Sequence, residues 1–392
     1  MSTSLVIVAA KRTPFGAFGG RLKHLTATDL AVESSKAALA QAGVAPSDID
    51  HVIFGNVAQT SADAIYLARH VGLRSNLPLE VPAVTVNRLC GSGFEALIQG
   101  ARLIQTGEAK AVLVGGTESM TQAPYVLRGA RLGYRLGNGE LEDSLVAGLF
   151  DTIPKVPMAI TAENLAVKYG ITRAQCDEFA LRSQKLTQKA IADGGFADEM
   201  APLTLKEKTG DAVMNKDEHP RADSSIEGLA KLKPVFKKEG VVTAGNASGM
   251  VDGAASLIVA SESHAKQKGW EILGHLRGWH TVGCEPAIMG IGPVGAVKGL
   301  LARTSTDLKQ ISLIEVNEAF AAQTLAVEKE LGLDREKLNT QGGAIAIGHP
   351  LGASGARITA HLLYALRKKG GGLGLGTACI GGGQGIAVLV EV

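Results

Sequence analysis

Short apolar runs alternate with amphipathic helical stretches along the chain, a pattern typical of layered α/β proteins. Val52–Phe54, Ala83–Asn87 and Ala111–Val114 are predicted strands. Before the third of these, apolar residues recur at spacings of three and four, which predicts a helix with one buried face. The residues on that face are Phe94, Leu97, Ile98, Ala101 and Ile104.

The same order of parts returns near the end of the chain. Leu313–Val316 and the glycine-rich Gly372–Gly376 are predicted strands. The helix predicted between them has Ile358, Leu362, Ala365 and Leu366 on one face. Asn56 and Gly93 lie 37 positions apart (93 − 56), and Asn317 and Gly355 lie 38 apart (355 − 317). We therefore predict two homologous α/β halves, with a functional site at their junction.

In residues 120–249 the alternation of predicted strands and helices is interrupted by polar, charged and proline-containing segments. The predicted division is an N-terminal half of residues 1–119 and 250–271, an inserted loop domain of residues 120–249, and a C-terminal half of residues 272–392. Two interpretations of the insertion stay open. Long insertions in compact proteins often serve as lids or binding loops, but solvated excursions are also tolerated at small entropic cost.

Composition narrows the class of protein. Among 392 residues, 45% are hydrophobic and 20% charged, which excludes bulk disorder. The net charge of +2 supplies no general attraction for nucleic acid. The apolar run Leu5–Ala10 is far shorter than the roughly 18 residues of a membrane helix.

Four cysteines without a C-x-x-C pair form no disulfide framework and indicate free thiols in a reducing compartment. No secretory signal is recognisable. We predict a cytoplasmic protein, with the mitochondrial matrix, reached through an uncleaved N-terminus, as the alternative.

Cys90 is the first candidate for chemistry. It precedes a predicted helix and is followed by Gly91 and Gly93, so backbone N–H groups and the helix N-terminus favour its thiolate. A buried, inert cysteine is the competing interpretation, but such cysteines are typical of an apolar helix face. The surroundings of Cys90 favour a nucleophile.

Three further residues lie on comparable turns. His349 precedes Pro350, which favours an extended backbone and a fixed imidazole. Cys379 is followed by glycines that let backbone N–H groups approach an oxyanion, and Asn317 ends a predicted strand. Covalent acyl transfer and a metal site at Cys90, His349 and Cys379 are the alternatives; the absence of paired-ligand spacing disfavours metal. Cys176, Cys284 and the other histidines are interpreted as packing or surface residues.

At these residues the sequence closely resembles the thiolase family along essentially its full length. The motifs that carry the resemblance are Asn87–Gly93, Gly115–Met120, Asn246–Gly249, Val316–Phe320, Gly348–Gly352 and Cys379–Gly383. The resemblance implies an α/β fold with five αβαβα layers, built from two similar halves and an inserted loop domain.

The resemblance also implies roles for single residues. Cys90 would take up the acyl group, and His349 would activate it. His349, together with a water held by Asn317, would stabilise the thioester enolate. Cys379 would be the acid/base at the C–C bond step, and the backbone N–H groups of Cys90 and Gly381 would bind the tetrahedral oxyanion. Such a reaction must stabilise a carbanion equivalent and an oxyanion separately, which one Cys–His pair does not provide.

Coenzyme A is implied as a substrate, with no permanently bound cofactor and no metal. By resemblance, Met158 and Ser248 contact its pantetheine arm, and Arg221 lies by its adenine. Met289 and Phe320 line the acyl end of the site. A homo-oligomer, either a dimer or a tetramer, is implied as well, with Tyr125–Arg135 corresponding to the tetramer loop of several members; a solvated face is the alternative for that loop.

The branch of the family is read from two segments. Val156–Asn164, in which Pro157 precedes Met158, and Asp63–His70 look more like mitochondrial-type 3-ketoacyl-CoA thiolases. We expect degradative cleavage of 3-ketoacyl-CoA in fatty-acid β-oxidation, with acetoacetyl-CoA thiolase as the alternative. A condensing enzyme that uses a malonyl donor is disfavoured by Cys379. A non-catalytic scaffold that binds coenzyme A is disfavoured because every polar catalytic position is filled.

Overall fold

The computed structural model describes residues 3–208 and 210–392. Its strands are β1 Leu5–Arg12, β2 Gly16–Ala17, β3 His51–Gly55, β4 Ala83–Val86, β5 Ala111–Ser119, β6 Tyr125–Leu127, β7 Leu141–Asp143, β8 Phe150–Asp151, β9 Val156–Pro157, β10 Leu203–Glu207, β11 Gly210–Met214, β12 Val251–Ser261, β13 Gly274–Gly283, β14 Ile311–Val316, β15 Leu373–Ile380 and β16 Gln384–Glu391.

The helices alternate with these strands in both halves. They are α1 Ala27–Ala42, α2 Leu67–Arg74, α3 Ser92–Gln105, α4 Ser144–Gly148, α5 Met158–Tyr169, α6 Arg173–Ala192, α7 Ile226–Ala230, α8 Glu262–Lys268, α9 Gly292–Thr304, α10 Ala321–Leu331, α11 Ala344–Ile347 and α12 Ser354–Lys369. No helix within the described ranges combines the length and the apolar character needed to cross a membrane.

Strand pairing displays the repeat directly. The strand order is β14-β15-β16-β13-β1-β12-β5-β3-β4, and β2 pairs with β12 beside this path. In the first half β4, β3 and β5 run parallel, and β12 and β1 continue antiparallel. In the second half β14 and β15 run parallel, and β16 and β13 continue antiparallel. A parallel bridge from Ile314 to Leu338 occupies the place that β4 has in the first half. Two residue pairs between β1 and β13 join the halves.

Three apolar cores separate the layers. The central core contains the predicted faces of α3 and α12, including Leu97 and Leu362, packed between the two parts of the sheet. A second core packs α1 and α2 on the outer face of the first half. A third packs α5, α6, α9 and α10 on the outer face of the second half. The order helix, sheet, helix, sheet, helix confirms the predicted five layers.

The glycine-rich strands are longer than predicted. β5 continues through Gly115 and Gly116 to Ser119, because β12 pairs with it as far as Asp252. β15 likewise reaches Ile380, so Cys379 lies within a strand, opposite Gly385 of β16, rather than in the loop after it. Side chains are absent at Gly115, Gly116, Gly374 and Gly376 where neighbouring elements approach closely.

The segment between β5 and β12 carries α4–α7 and three small antiparallel strand pairs. Its division from the two halves at residues 120 and 249 remains a prediction. An ion network ties it to both halves. Fully buried Arg12 donates from Nε to Glu199 Oε1 (2.6 Å) and from its two terminal nitrogens to the two oxygens of Asp217 (2.7 and 3.0 Å).

The network extends into α12, where His361 Nδ1 donates to the second oxygen of Glu199 (2.9 Å). Burial alone would raise the pKa of Glu199, but the charges of Arg12 and His361 hold it at about 2. His361, interpreted from sequence as packing or surface, therefore belongs to a buried ionic cluster. Three separate parts of the chain are joined at this one carboxylate.

We expect Arg12→Met to lower the free energy of unfolding by about 3–5 kcal/mol, because Glu199 and Asp217 would remain buried without their cation. Equilibrium denaturation in urea at fixed protein concentration measures this. The control is Arg21→Met, which breaks the exposed pair Arg21–Glu207 (2.7 Å) and should change stability by less than about 1 kcal/mol. Equal effects of the two substitutions would contradict the structural importance of the buried network.

Candidate active site

Cys90 lies in a single 3₁₀ turn, Leu89–Gly91, between β4 and the start of α3. Leu89 has φ 46°, a left-handed conformation that is uncommon for a residue other than glycine. Asn87 Oδ1 accepts from Leu89 N–H (2.9 Å), and Ser92 Oγ donates to Leu89 O (2.7 Å). These bonds hold a strained turn that presents Cys90 at the N-terminus of a helix.

Cys90 as a residue is half-buried, but its thiol lies in a desolvated position. Burial raises its pKa to about 11; the backbone N–H groups of Gly381 and Cys90 oppose this shift, and the charge of Glu118 adds to it. The group is therefore a neutral thiol at pH 7, and its attack on a carbonyl requires a base to take the proton.

His349 is a buried neutral imidazole whose tautomer follows from its hydrogen bonds. Ser354 Oγ donates its only proton to Pro350 O (3.1 Å), so it accepts from His349 Nδ1–H (2.6 Å). The unprotonated Nε2 accepts from Asn317 Nδ2 (3.3 Å). Burial, with the positive charge of Arg357, lowers the pKa of His349 to about 3. The imidazole is thus neutral, with the lone pair of Nε2 directed toward Asn317; its role as the base for Cys90 remains a prediction.

Asn317 follows β14, and its backbone N–H binds Thr377 O (2.9 Å). Its side chain is buried, and Oδ1 accepts no hydrogen bond from the described residues. A buried carbonyl oxygen of this kind is an acceptor for a donor that enters the site. This geometry fits the predicted water-holding role, which remains a prediction.

Cys379 is completely buried in a small apolar cluster. Met289 and Ala319 are its buried neighbours, and Met158 and Phe320 pack against the group. Burial raises the pKa of Cys379 well above that of an ordinary thiol, and the adjacent Cys90 and Cys284 add to the shift. The two thiols expected to act in the reaction are therefore neighbours, and both are protonated at neutral pH.

Of the residues expected to contact coenzyme A, two lie near the Cys379 cluster and one lies apart from it. Met158 begins α5 beside Gly381, and a Cβ added to that glycine would lie 3.3 Å from Met158 Sδ. The Ser248 backbone N–H donates to Ala319 O (3.0 Å), next to Phe320. Arg221 lies outside the cluster; it is exposed, and its N–H binds Gln184 Oε1 on α6 (2.9 Å).

Sequence reasoning missed several groups of this site. Ser354 fixes the tautomer of His349, and Glu118 lies beside Cys90. Cys284, interpreted as a packing residue, lies near Cys379, and its Sγ donates to Met289 O (3.7 Å). Cys176 is buried in the third core, as interpreted. Leu89–Gly93 and Leu351–Gly355 share the pattern Leu-x-x-Ser-Gly, and this repeat was the signal that could have identified Ser354.

Comparison with known proteins agrees with this arrangement. Residues 5–263 match the thiolase N-terminal domain family, and residues 270–392 match the thiolase C-terminal domain family. The chain belongs to the thiolase family.

Named relatives indicate the branch. The chain is 56% identical over 386 residues to the 3-ketoacyl-CoA thiolase, mitochondrial, of Homo sapiens, which covers 98% of this chain and 97% of that protein. An acetyl-CoA acetyltransferase of Pseudomonas aeruginosa is 46% identical, with 98% of both chains covered. The crystal structure of the human mitochondrial enzyme in complex with CoA superposes with a TM-score of 0.97 at 55% identity, covering 99% of this chain and 98% of that one.

We expect Ser354→Ala to lower kcat for thiolysis roughly tenfold or more, because His349 Nδ1–H loses the acceptor that selects its tautomer. Steady-state kinetics of thiolysis measures the effect. Ser34→Ala is the matched control: it removes another buried serine hydroxyl, on α1, which is bonded to Ser256 Oγ of β12 (2.6 Å). If Ser354→Ala retained the rate of the control, the tautomer would be set by some other group.

Proposed function

We propose that this protein is a 3-ketoacyl-CoA thiolase, an acyltransferase that cleaves 3-ketoacyl-CoA with coenzyme A to acetyl-CoA and a shortened acyl-CoA. The observation that carries the proposal is the pair of adjacent thiols in different surroundings. Cys90 lies in a helix-start turn with backbone N–H groups directed at its sulfur, and Cys379 lies in an apolar cluster. The identity to 3-ketoacyl-CoA thiolases over almost the whole chain supports it.

The first half-reaction begins at the Cys90 sulfur. Cys90 attacks C3 of the substrate while its proton passes to His349 Nε2, the unprotonated nitrogen. The backbone N–H groups of Cys90 and Gly381 are positioned to bind the developing oxyanion. The C2–C3 bond then breaks, and its electron pair forms the enolate of acetyl-CoA. The water predicted at Asn317 and protonated His349 stabilise the enolate oxygen. Cys379 then gives its proton to C2.

The second half-reaction regenerates the site. The thiol of coenzyme A attacks the acyl group on Cys90 and transfers its proton to the Cys379 thiolate. Cys90 leaves as a thiolate and recovers its proton from His349. Both thiols and the imidazole return to their neutral forms, which are the forms that their burial favours. The cycle is therefore ping-pong, with acyl-Cys90 as its intermediate.

The proposed substrate contacts begin at the Cys379 cluster and extend beyond it. Met289 and Phe320, beside Cys379, line the acyl end. Met158 and Ser248 contact pantetheine, and the exposed Arg221 lies toward the adenine. Coenzyme A enters as a substrate, with no resident cofactor. Acetoacetyl-CoA thiolase is the second candidate, and the 46% identity to an acetyl-CoA acetyltransferase supports it less than 56% supports the first.

A homo-oligomer completes the proposal. Among the described residues β4 is an end strand of the sheet and pairs with β3 alone; its Val84 is exposed, as are Ile65 and Leu79 in the segments before α2 and β4, which supports pairing with a second copy. Tyr125–Arg135 includes Leu132, which is 93% exposed and supports a further contact between dimers. The compartment remains a prediction: cytoplasm is the first expectation, and the mitochondrial relatives support the matrix.

The direct test is the thiolysis rate for 3-ketoacyl-CoA substrates from four to sixteen carbons at fixed coenzyme A. A degradative thiolase should remain active well beyond the four-carbon substrate. Activity confined to acetoacetyl-CoA would select the second candidate. Absence of thiolysis at every length would refute both.

The two cysteines should be separable by substitution. Cys90→Ala should form no acyl-enzyme, because the nucleophile is gone. Cys379→Ala should still acylate Cys90 from an acyl-CoA but fail at the C–C bond step. Intact-protein mass spectrometry after mixing with acyl-CoA, together with thiolysis rates, distinguishes them. Acyl-enzyme at one site in Cys90→Ala would reassign the nucleophile, and full thiolysis by Cys379→Ala would remove that residue from the mechanism.

A further inference from the structure

Glu118, near the end of β5, is a buried carboxylate with four hydrogen-bond donors around it. Oε1 accepts from Asn56 Nδ2 (3.0 Å) and from Ala58 N–H (2.9 Å). Oε2 accepts from Val57 N–H (3.2 Å) and from Gly352 N–H (2.9 Å). In each of these four hydrogen bonds the carboxylate is the acceptor, and in none of them is it the donor. Only the ionised form satisfies all four donors.

The strand register gives Glu118 an unexpected counterpart. Gly55 of β3 pairs with Gly116 of β5, and Val316 of β14 pairs with Thr377 of β15. Asn56 and Asn317 directly follow Gly55 and Val316. Two positions beyond the paired residues on β5 and β15 are Glu118 and Cys379. The two halves therefore place an ionisable side chain at the same position, and both side chains lie close enough to Cys90 for their ionisation to be coupled to that of its thiol.

The hydrogen bond from Gly352 N–H to Glu118 Oε2 matters because Gly352 lies between His349 and Ser354 in the sequence. Gly352 is three residues after His349 and two before Ser354. It is packed so tightly that an added Cβ would lie 2.6 Å from Thr117 O and 2.8 Å from Gly55 O. At the other end of this turn, Ile345 N–H binds Glu318 Oε2 (3.1 Å). The segment that carries His349 is thus held by one buried carboxylate from each half.

We propose that Glu118 is a positioning residue for acyl transfer, which only as a carboxylate holds the His349 turn against the turn Asn56–Ala58. That turn is joined in its own right to the Cys90 segment, because Val57 O accepts from Asn87 Nδ2 (3.2 Å). This inference rests on the proposed function. Protonation of Glu118 turns one acceptor oxygen into a donor, so one of the four facing N–H groups loses its partner. The His349 turn then loosens, and acylation of Cys90 slows.

The charge state of Glu118 has identifiable neighbours. The ionisable groups that face it are Cys90 from the 3₁₀ turn and Asp252 from β12, while the turns after β3 and before α12 present neutral donors. Burial raises the pKa of Glu118 to about 7; the N–H donors lower it, and the charge of Asp252 raises it. The active carboxylate is therefore present above pH 7 and is lost as the pH falls through that value.

Glu118→Gln tests the proposal through the rate at which an acyl-CoA acylates Cys90, followed by rapid quench and mass spectrometry. At pH 8 we expect this rate to fall roughly tenfold or more, with KM for coenzyme A nearly unchanged. The wild-type rate should decline below pH 7, and that decline should be absent in the variant, since glutamine does not titrate. A wild-type rate and an unchanged acid decline in Glu118→Gln would overturn the proposal.

Asp252→Asn supplies a second test that leaves Glu118 and its donors in place. Removing this neighbouring charge should move the acid decline to lower pH while the rate at pH 8 is retained. An unmoved decline would count against Glu118 as the titrating group, including when Glu118→Gln fails to fold. Failure of the proposed function is distinguishable, because the wild-type protein itself would then form no acyl-Cys90.

Discussion

The close approach of two helix starts at the junction of the halves is the constraint on which the site depends. A Cβ at Gly93 would lie 2.5 Å from Ala356 N, and one at Gly355 would lie 2.3 Å from Phe94 N. A Cβ at Gly116 would lie 1.9 Å from Gly352 O. Only hydrogen atoms fit at these places, so α3 and α12 begin in direct backbone contact. That contact brings the Cys90 turn of one half to the His349 turn of the other.

The protonation states of the site residues follow from their burial away from water at this junction. Burial keeps Cys90 and Cys379 as thiols and His349 as a neutral imidazole. These three groups therefore form no ion pair with one another at rest, and in the proposed mechanism they become charged only as protons move. In the proposed mechanism, fixed backbone N–H groups and the Asn317 amide would face the places where that charge appears, which is the arrangement that gives electrostatic catalysis its strength.

The repeat was visible in the sequence because apolar spacing in α3 and α12 reports burial directly, and the faces predicted from Leu97 and Leu362 are the observed ones. The ends of the strands were not visible in the sequence. Gly115 and Gly116 indicated the end of a strand, but β5 continues to pair with β12 through both glycines. Cys90, His349, Cys379 and Asn317 stood out by residue type and local turns. Glu118 did not, because its partner Gly352 comes near only when the two halves dock. Ser354 was missed although its partner His349 lies only five residues away, because nothing in its residue type marks the bond between them.

The Arg12 network also constrains how the chain reaches its native state. Arg12 is separated from Glu199 by 187 residues and from Asp217 by 205, and Glu199 is separated from His361 by 162. Contacts of such sequence separation require large loops to close and therefore form slowly. The inserted segment cannot acquire its final anchorage until the last helix of the chain has docked. The inserted segment therefore completes its folding only after α12 has docked. A ribosome-bound chain that lacks α12 has no complete active site.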